Sequence, residues 1–484
     1  MSSLYQKTTN SIKWSALTII VPKIINPLVM IALARILAPE SFGLLSTAMI
    51  VISFSQMFWE AGLSRALIQT SDPIFKVANV VFWSNISLGL IIYVLIFFAA
   101  PLLSIYFNSP QSIVVLRVLS LQIVIMSFTT VQEALFTREL DFRPLFWIKI
   151  ITSIFSGFFS IFLALSGYTI WALVFGTLLG SLLNLVLLWT KSKWRPNMQI
   201  DLNFAPKLFR FGSWIVVLSI MGWFINWFDS LLVGRYLGMS ELGIYRTGVT
   251  MISMLFSLIM GPIASVMFPS FSKLQNDKNK VTKHFHDINK IIISVVLPFG
   301  VGLFLVSQDF VPMIFGERWN GLAEVIGILG LSEGLGNCVG INPIIFQSIG
   351  RSDLQPKLSL FLLPFYIVTY LIVAPMGMIP LLWAKLVLSL LTIPINIIPI
   401  VRVLNISPFY ILHQGKYIFI STIFLTVTIL ALQWILDYYY LHNHFLLLSG
   451  SISVGSVVYI GTLWFLDKPF ILQIKSLAKS SLLK

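Results

Sequence analysis

Charge is scarce in this 484-residue chain: Asp, Glu, Lys and Arg make up 10% of it and hydrophobic residues 57%, against about 25% charged in ordinary soluble domains. A water-soluble globule is thereby excluded. Cysteine is scarcer still, with Cys338 alone, so no internal disulfide framework holds the fold. Long polar loops are also missing. The longest polar stretches, around 191–207 and 272–290, leave no room for a separate catalytic domain. No GxxxxGK[ST] phosphate loop, GxSxG nucleophile turn, HExxH zinc helix or GxGxxG cofactor turn occurs. An ATP-driven pump acting through this chain alone is therefore not expected, nor is any cofactor or metal. The pairs His284/His286 and His442/His444 have no third ligand nearby and read as solvated loop residues.

What the chain has is long apolar runs. A hydrocarbon crossing takes about 20 mostly apolar residues, and such runs begin near 13, 42, 78, 112, 145, 169, 208, 242, 288, 322, 357, 378, 416 and 445. The expected fold is an all-α polytopic membrane protein of about fourteen transmembrane helices. The first run continues to Leu37 without a cleavage-site pattern and reads as a retained helix.

The basic excess, 32 Lys and Arg against 18 Asp and Glu, gives a net charge of +14. Its distribution sets orientation, because bases in short loops stay on the cytoplasmic side. With Lys7 and Lys13 inside, every second loop collects bases, from Arg65 and Lys76 to the tail with Lys468, Lys475, Lys479 and Lys484. In this topology 25 of the 32 bases are cytoplasmic, and both termini with them. Spread in this way with little aromatic interleaving, they point to membrane lipids as partners and give no support to nucleic-acid binding.

An offset of 200 residues superimposes the first two helices on the seventh and eighth. Trp14 meets Trp214, Asn26 meets Asn226, Arg35 meets Arg235, Gly43 meets Gly243 and Thr47 meets Thr247. An even number of helices separates the copies, so they share one orientation, the parallel repeat common in transporters. The expected organisation is an N-terminal six-helix bundle (1–190), a cytoplasmic linker (191–207), a C-terminal six-helix bundle (208–400), two additional helices (401–466) and a basic cytoplasmic tail (467–484).

A charge at mid-membrane costs roughly 2.5–3.5 kcal/mol even on a lenient scale, so such residues face water, a partner or a ligand. By helix rise, Lys23 and Glu333 share a mid-depth, and Asp229 and Lys385 share the outer third. Each pair reads either as an ion pair or as lining of a hydrated cavity. Candidate cationic lining for an anionic headgroup is Lys23, Arg117, Arg246 and Lys385, with Asp229 and Glu333 as candidate ion-coupling sites. Arg35, Arg235 and Glu60 are candidates for structural or gating roles. Gly176–Gly180, Gly330–Gly334 and Gly336–Gly340 are spacings that permit close helix contact.

Leu33-Ala-Arg-Ile-Leu-Ala-Pro-Glu-Ser-Phe-Gly-Leu44, followed by Glu60-Ala-Gly-Leu63 and Ala66-Leu-Ile-Gln69, resembles the N-terminal signature of the Wzx-like oligosaccharide flippases of the MOP superfamily, especially the branch with the colanic acid and teichuronic acid exporters. Leu232-Val-Gly-Arg-Tyr-Leu-Gly238, Leu242-Gly-Ile-Tyr245, Phe315-Gly-Glu-Arg-Trp319 and Gln347-Ser-Ile-Gly-Arg-Ser-Asp353 continue the similarity in order. The resemblance implies a V-shaped pair of six-helix bundles with two helices appended. It also implies export of a lipid-linked (polyprenyl diphosphate) oligosaccharide across the bacterial cytoplasmic membrane by alternating access, for surface polysaccharide synthesis, with glycan polymerase and other assembly proteins as partners. The chain is then a transporter, not an enzyme. In related flippases cationic residues engage the carrier's diphosphate, and Lys23 is the best-placed candidate here. The alternatives are a multidrug-type small-molecule antiporter of the same superfamily and a membrane glycan polymerase or ligase.

Overall fold

A computed structural model describes residues 2–59, 64, 67–68, 73–198, 205–275, 277–439 and 443–482. Among these residues the regular structure is helical throughout. The first half contains α1 (Ser2–Ile36), α2 (Pro39–Trp59), α3 (Ile74–Tyr106), α4 (Ser112–Leu119), α5 (Leu121–Ser127), α6 (Thr130–Arg138), α7 (Phe142–Leu165) and α8 (Thr169–Lys191). The second contains α9 (Ala205–Tyr236), α10 (Met239–Leu274), α11 (Lys278–Ile314), α12 (Leu322–Gly336), α13 (Asn342–Ser348), α14 (Leu354–Val373), α15 (Met378–Leu404), α16 (Pro408–Tyr438), α17 (His444–Leu466) and α18 (Lys468–Leu482). Among the described residues twelve spans are long and apolar enough to cross a membrane, and the bent run α4–α6 makes thirteen, against the fourteen expected. α9, at 32 residues, reaches about 48 Å at 1.5 Å per residue.

Apolar side chains point outward as well as inward. Phe98, Phe158 and Phe465 are 74%, 71% and 87% exposed, a surface suited to lipid and not to water.

The run from Ser112 is not one helix because hydroxyls compete for its carbonyls. Ser120 Oγ donates to the Arg117 carbonyl, Ser127 Oγ to Val124, and Thr129 and Thr130 Oγ1 both to Met126. Such back-bonding bends and breaks helices, and the two parts of this run meet at 41°.

By packing the chain divides into two units, 1–246 and 247–484. In the first, α7 packs on both α1 and α8, and α9 lies along α2. Gly176 and Gly180 let α8 close on Ser160 and Ser156 of α7, as the small-residue spacing implies. Phe82 gathers Trp83, Phe128, Trp189 and Trp194 in an aromatic cluster with centroids 5.4–6.0 Å apart. The segment after α8 docks on this cluster. Arg195 donates to the carbonyls of Trp189, Ser192 and Trp194, and Trp83 Nε1 donates to the Asn197 carbonyl at 2.9 Å.

In the second unit α11 crosses α12 where a Cβ on Gly300 would lie 2.6 Å from the Gly330 carbonyl oxygen. The hairpin α16–α17 packs on α11, held by Tyr459 Oη donating to the Ser294 carbonyl (2.7 Å) and Gln433 Nε2 to that of Leu305 (3.0 Å). After α17, Asp467 accepts from Lys290 Nζ at 2.6 Å, and the same ammonium lies 4.5 Å from the Phe470 ring centre.

Candidate functional site

α2 and α10 begin at Pro39 and Met239, positions 200 residues apart, and their first turns interlock. A Cβ on Gly43 would overlap the Met239 carbonyl, and one on Gly243 would overlap the Pro39 carbonyl and lie 2.9 Å from the Gly43 nitrogen. Only glycine permits backbones to meet so closely. The contact is reciprocal, as a local two-fold requires: each helix offers its glycine to the opening carbonyl of the other. Thr47 seals it, its Oγ1 lying 3.1 Å from the Gly43 carbonyl and 3.3 Å from Met239 Sδ. Farther along α2, Ser53 Oγ accepts from Trp223 Nε1 of α9 at 3.1 Å, and Phe54 packs edge-on against Trp223.

Beneath the interlock lies a charged network. Asp229 on α9 is 2% exposed. Its carboxylate accepts from Tyr245 Oη at 2.6 Å and from Ser230 Oγ at 3.0 Å. The Arg246 guanidinium lies 3.8 Å from the Trp227 ring centre and donates toward Ser230 Oγ and the Asn226 carbonyl, each at 3.4 Å. A buried carboxylate needs such donors, since one left unpaired loses its hydration without return.

The remaining expected residues of this unit take separate roles. Lys23 is half-buried in the middle of α1, between Pro22 and Pro27, with no hydrogen bond or ion pair to another described residue. Arg117 ties α4 to α3, its Nε donating to the Phe97 carbonyl at 3.1 Å and its guanidinium 4.3 Å from that ring. Arg35 closes the last turn of α1 and is exposed. Its repeat mate Arg235 caps α3, donating to the Tyr106 carbonyl at 2.7 Å and the Ile105 carbonyl at 3.2 Å. Glu60 lies outside the described residues.

In the second unit Glu333 (α12) and Lys385 (α15) attract each other across adjoining helices. Asn337 Nδ2 donates to Glu333 Oε2 at 3.2 Å, and Lys385 Nζ lies 5.8 Å from the Tyr370 ring centre. Within its own unit Glu333 is drawn to Lys385, and Asp229 to Tyr245 and Arg246. Depth along a helix is legible from sequence, but facing is set by tertiary packing.

The same unit holds a largely apolar cleft of about 510 Å³ between α10, α11, α16 and α17. Gly302, Phe310 and Leu425 line it, with Ser456 and Ile460 on the far wall.

The sequence reading passed over Tyr245, Trp227 and the interlocking role of Gly43 and Gly243. The 200-residue offset contains the signal. Where the copies agree on glycine the backbones touch. Where Val29, Leu45 and Ser46 give way to Asp229, Tyr245 and Arg246, one copy has acquired a polar network.

The sequence profile of a family described as "Polysaccharide biosynthesis protein" matches residues 32–324. The lipopolysaccharide biosynthesis protein WzxC of Escherichia coli (strain K12) is 27% identical over 370 residues, 74% of this chain and 73% of its own length. Among solved structures, the lipid II flippase MurJ in an inward closed conformation superimposes with a TM-score of 0.76 at 16% identity, over 95% of this chain and all of MurJ. An inward-facing multidrug resistance MATE family transporter of the MOP superfamily gives 0.61 at 15% identity, over 82% of this chain and 99% of its own.

Proposed function

Because the chain belongs to the polysaccharide biosynthesis protein family, as a Wzx-like member of the MOP superfamily, we propose that it moves a lipid-linked oligosaccharide across the bacterial cytoplasmic membrane by alternating access, for surface polysaccharide synthesis. The cargo is a sugar chain joined by a diphosphate to a polyprenyl tail. The named roles of WzxC in lipopolysaccharide biosynthesis and of MurJ as a lipid II flippase support this cargo class.

The observation that carries the reading is the cleft beside α16 and α17. An almost wholly apolar cleft offers a drug few polar contacts to fix it, whereas a polyprenyl tail passes into it from bilayer hydrocarbon without meeting water and is held there by close packing. The multidrug transporter, matched over nearly its whole length, leaves almost a fifth of this chain uncovered.

In this mechanism the repeat-related interlock of α2 and α10 is the outer seal, on the side where loops hold few bases, and it parts when the sugars are released. Lys23 meets the diphosphate, being the mid-membrane cation of α1 with its ammonium uncommitted to other described residues. Arg117 and Arg246 are the further cations of the first unit in this reading, and Lys385 is that of the second. Glu333, neutralised in part by Lys385, and Asp229 are the ion-sensing acids. The halves 1–190 and 208–400 supply the moving bodies, and both termini stay cytoplasmic.

Deletion of the gene tests the cargo. The expected result is loss of surface polysaccharide, with lipid-linked repeat units accumulating sugars-inward and drug susceptibility unchanged. Re-expression of Ser456→Trp or Gly302→Leu, which fill the cleft at an exposed position and an open one, fails to restore export. Intact glycan with raised drug susceptibility favours a small-molecule antiporter, and repeat units accumulating sugars-outward favour a polymerase or ligase.

A further inference from the structure

Above the α2–α10 interlock the first unit holds a second cavity, of about 580 Å³, within the size range of small-molecule sites. It opens between the start of α2, the α3–α4 turn and the α9–α10 connector, and its lining is unlike the cleft's. Glu40 and Arg235 bring opposite charges to it, Asn108 and Gln111 bring amides, Ser240 a hydroxyl, and Tyr236 an aromatic face that is 49% exposed.

The lining selects its ligand by exclusion. A phosphate meets the Glu40 carboxylate, a metal cation meets the Arg235 guanidinium, and an apolar chain leaves the amides and charges unsatisfied. A neutral polyhydroxyl compound satisfies all of them. Pyranose rings present hydroxyl edges to amides, carboxylates and guanidinium groups, and a C–H face to an aromatic ring.

The cavity is also built in advance. Arg235 Nη1 is committed to the Ile105 and Tyr106 carbonyls and, at 3.3 Å, to Asn108 Oδ1. Its Nε and Nη2 hydrogens have no hydrogen-bond partner among the described residues. Asn108 is held in the left-handed region (φ 51°), and Gly238 turns the connector at φ +89°. Asn and Gly are the residues that take these angles most readily, so the two turns bordering the cavity have a fixed shape.

We propose that this cavity is a saccharide-binding site on the outer face, which takes two or three sugar units of the exported glycan and holds the α2–α10 interlock shut while occupied. The inference rests on the flippase reading for the identity of the sugar. The coupling follows from geometry: Met239 lines the cavity and also supplies the carbonyl that meets Gly43. A ligand bridging Glu40, Gln111 and Tyr236 binds the interlocked state better than the parted one and shifts the population toward it. Glycan on the outside thereby slows further export.

The test uses the purified full-length chain and, as probe, the free repeat-unit oligosaccharide released by mild acid from the cells' own lipid-linked pool. Saturation-transfer NMR is expected to show binding. Loss of a stacking face or of a hydrogen-bonding amide, about 1.4 kcal/mol, weakens it about tenfold in Tyr236→Ala and in Gln111→Ala, while Tyr236→Phe keeps it. In proteoliposomes the oligosaccharide slows flipping of lipid-linked substrate when added on the outer side only, and Tyr236→Ala flips without that inhibition. No binding by the wild-type chain, or equal binding by wild type, Tyr236→Ala and Gln111→Ala, overturns the site. If flipping proceeds while the oligosaccharide neither binds nor inhibits, the site fails and the flippase reading stands; absence of flipping fails the flippase reading itself.

Discussion

In α9 and α10, Asp229, Ser230, Tyr245 and Arg246 form a buried hydrogen-bonded network, whereas the positions 200 residues earlier in α1 and α2 hold Val29, Met30, Leu45 and Ser46. The reverse holds nearly two turns away, where α1 has Lys23 between two prolines and α9 has Trp223, whose indole is bonded to Ser53. Both copies keep the glycine that lets their hairpins interlock. The positions that agree across the 200-residue offset thus make the contact between the two helix pairs, and the polar residues fall at positions where they differ. The second copy holds a satisfied network that stiffens the α9–α10 hairpin. The first holds a cation that no described neighbour satisfies, which is the state expected of a ligand contact.

The sharpest way to break this comparison is to abolish what the copies share. Gly43→Leu and Gly243→Leu drive side chains into backbone carbonyls, at a cost of about 3 kcal/mol in the closed state, roughly a hundredfold in the closed-to-open ratio. Each is expected to remove surface polysaccharide while membrane abundance stays normal by immunoblot, and export at wild-type level in either would contradict the shared seal. Next in size is the network. Asp229→Ala leaves Tyr245 and Arg246 without their carboxylate and is expected to lower stability in detergent by about 3 kcal/mol. Its mate Val29→Ala costs roughly 1 kcal/mol, so equal losses by thermal unfolding erase the distinction between the copies.

Lys23→Ala should act oppositely to Asp229→Ala. It removes a charge-assisted phosphate contact of about 1.5–3 kcal/mol, so export of glycan falls about tenfold or more with unfolding unchanged, and Lys23→Arg restores it. Unchanged export in Lys23→Ala sinks the phosphate role. The smallest effect belongs to Ser53→Ala, which takes the acceptor from Trp223 Nε1 and is expected to cost about 1 kcal/mol in the same unfolding measurement. A cost as large as that of Asp229→Ala would show that the α2–α9 contact, and not the charged network, stiffens this unit.

Most of the fold was legible in the sequence because a hydrocarbon crossing demands a long apolar run whatever its neighbours, and the breaks between runs are visible as turns. The run from Ser112 was the exception. It has the composition of one span, and only the hydroxyl-to-carbonyl bonds of Ser120, Ser127, Thr129 and Thr130 divide it. For the charged residues the sequence suggested a depth and no facing. Which way Glu333 or Arg117 faces depends on the rotation of its helix against partners on other helices, so Glu333 met Lys385 and Arg117 met Phe97 without any local sign. The interlock was half legible: the 200-residue offset aligns Gly43 with Gly243, but only folding brings the two into one contact.

Lipid-linked oligosaccharide transport is tested most directly by proteoliposomes containing the purified full-length chain and a fluorescent polyprenyl-diphosphate oligosaccharide, with an impermeant quencher outside. Wild-type protein is predicted to expose the inner-leaflet pool to the quencher in a time-dependent way, and Gly43→Leu to leave that pool protected. A quenched fraction in wild-type vesicles equal to that in protein-free ones would contradict it.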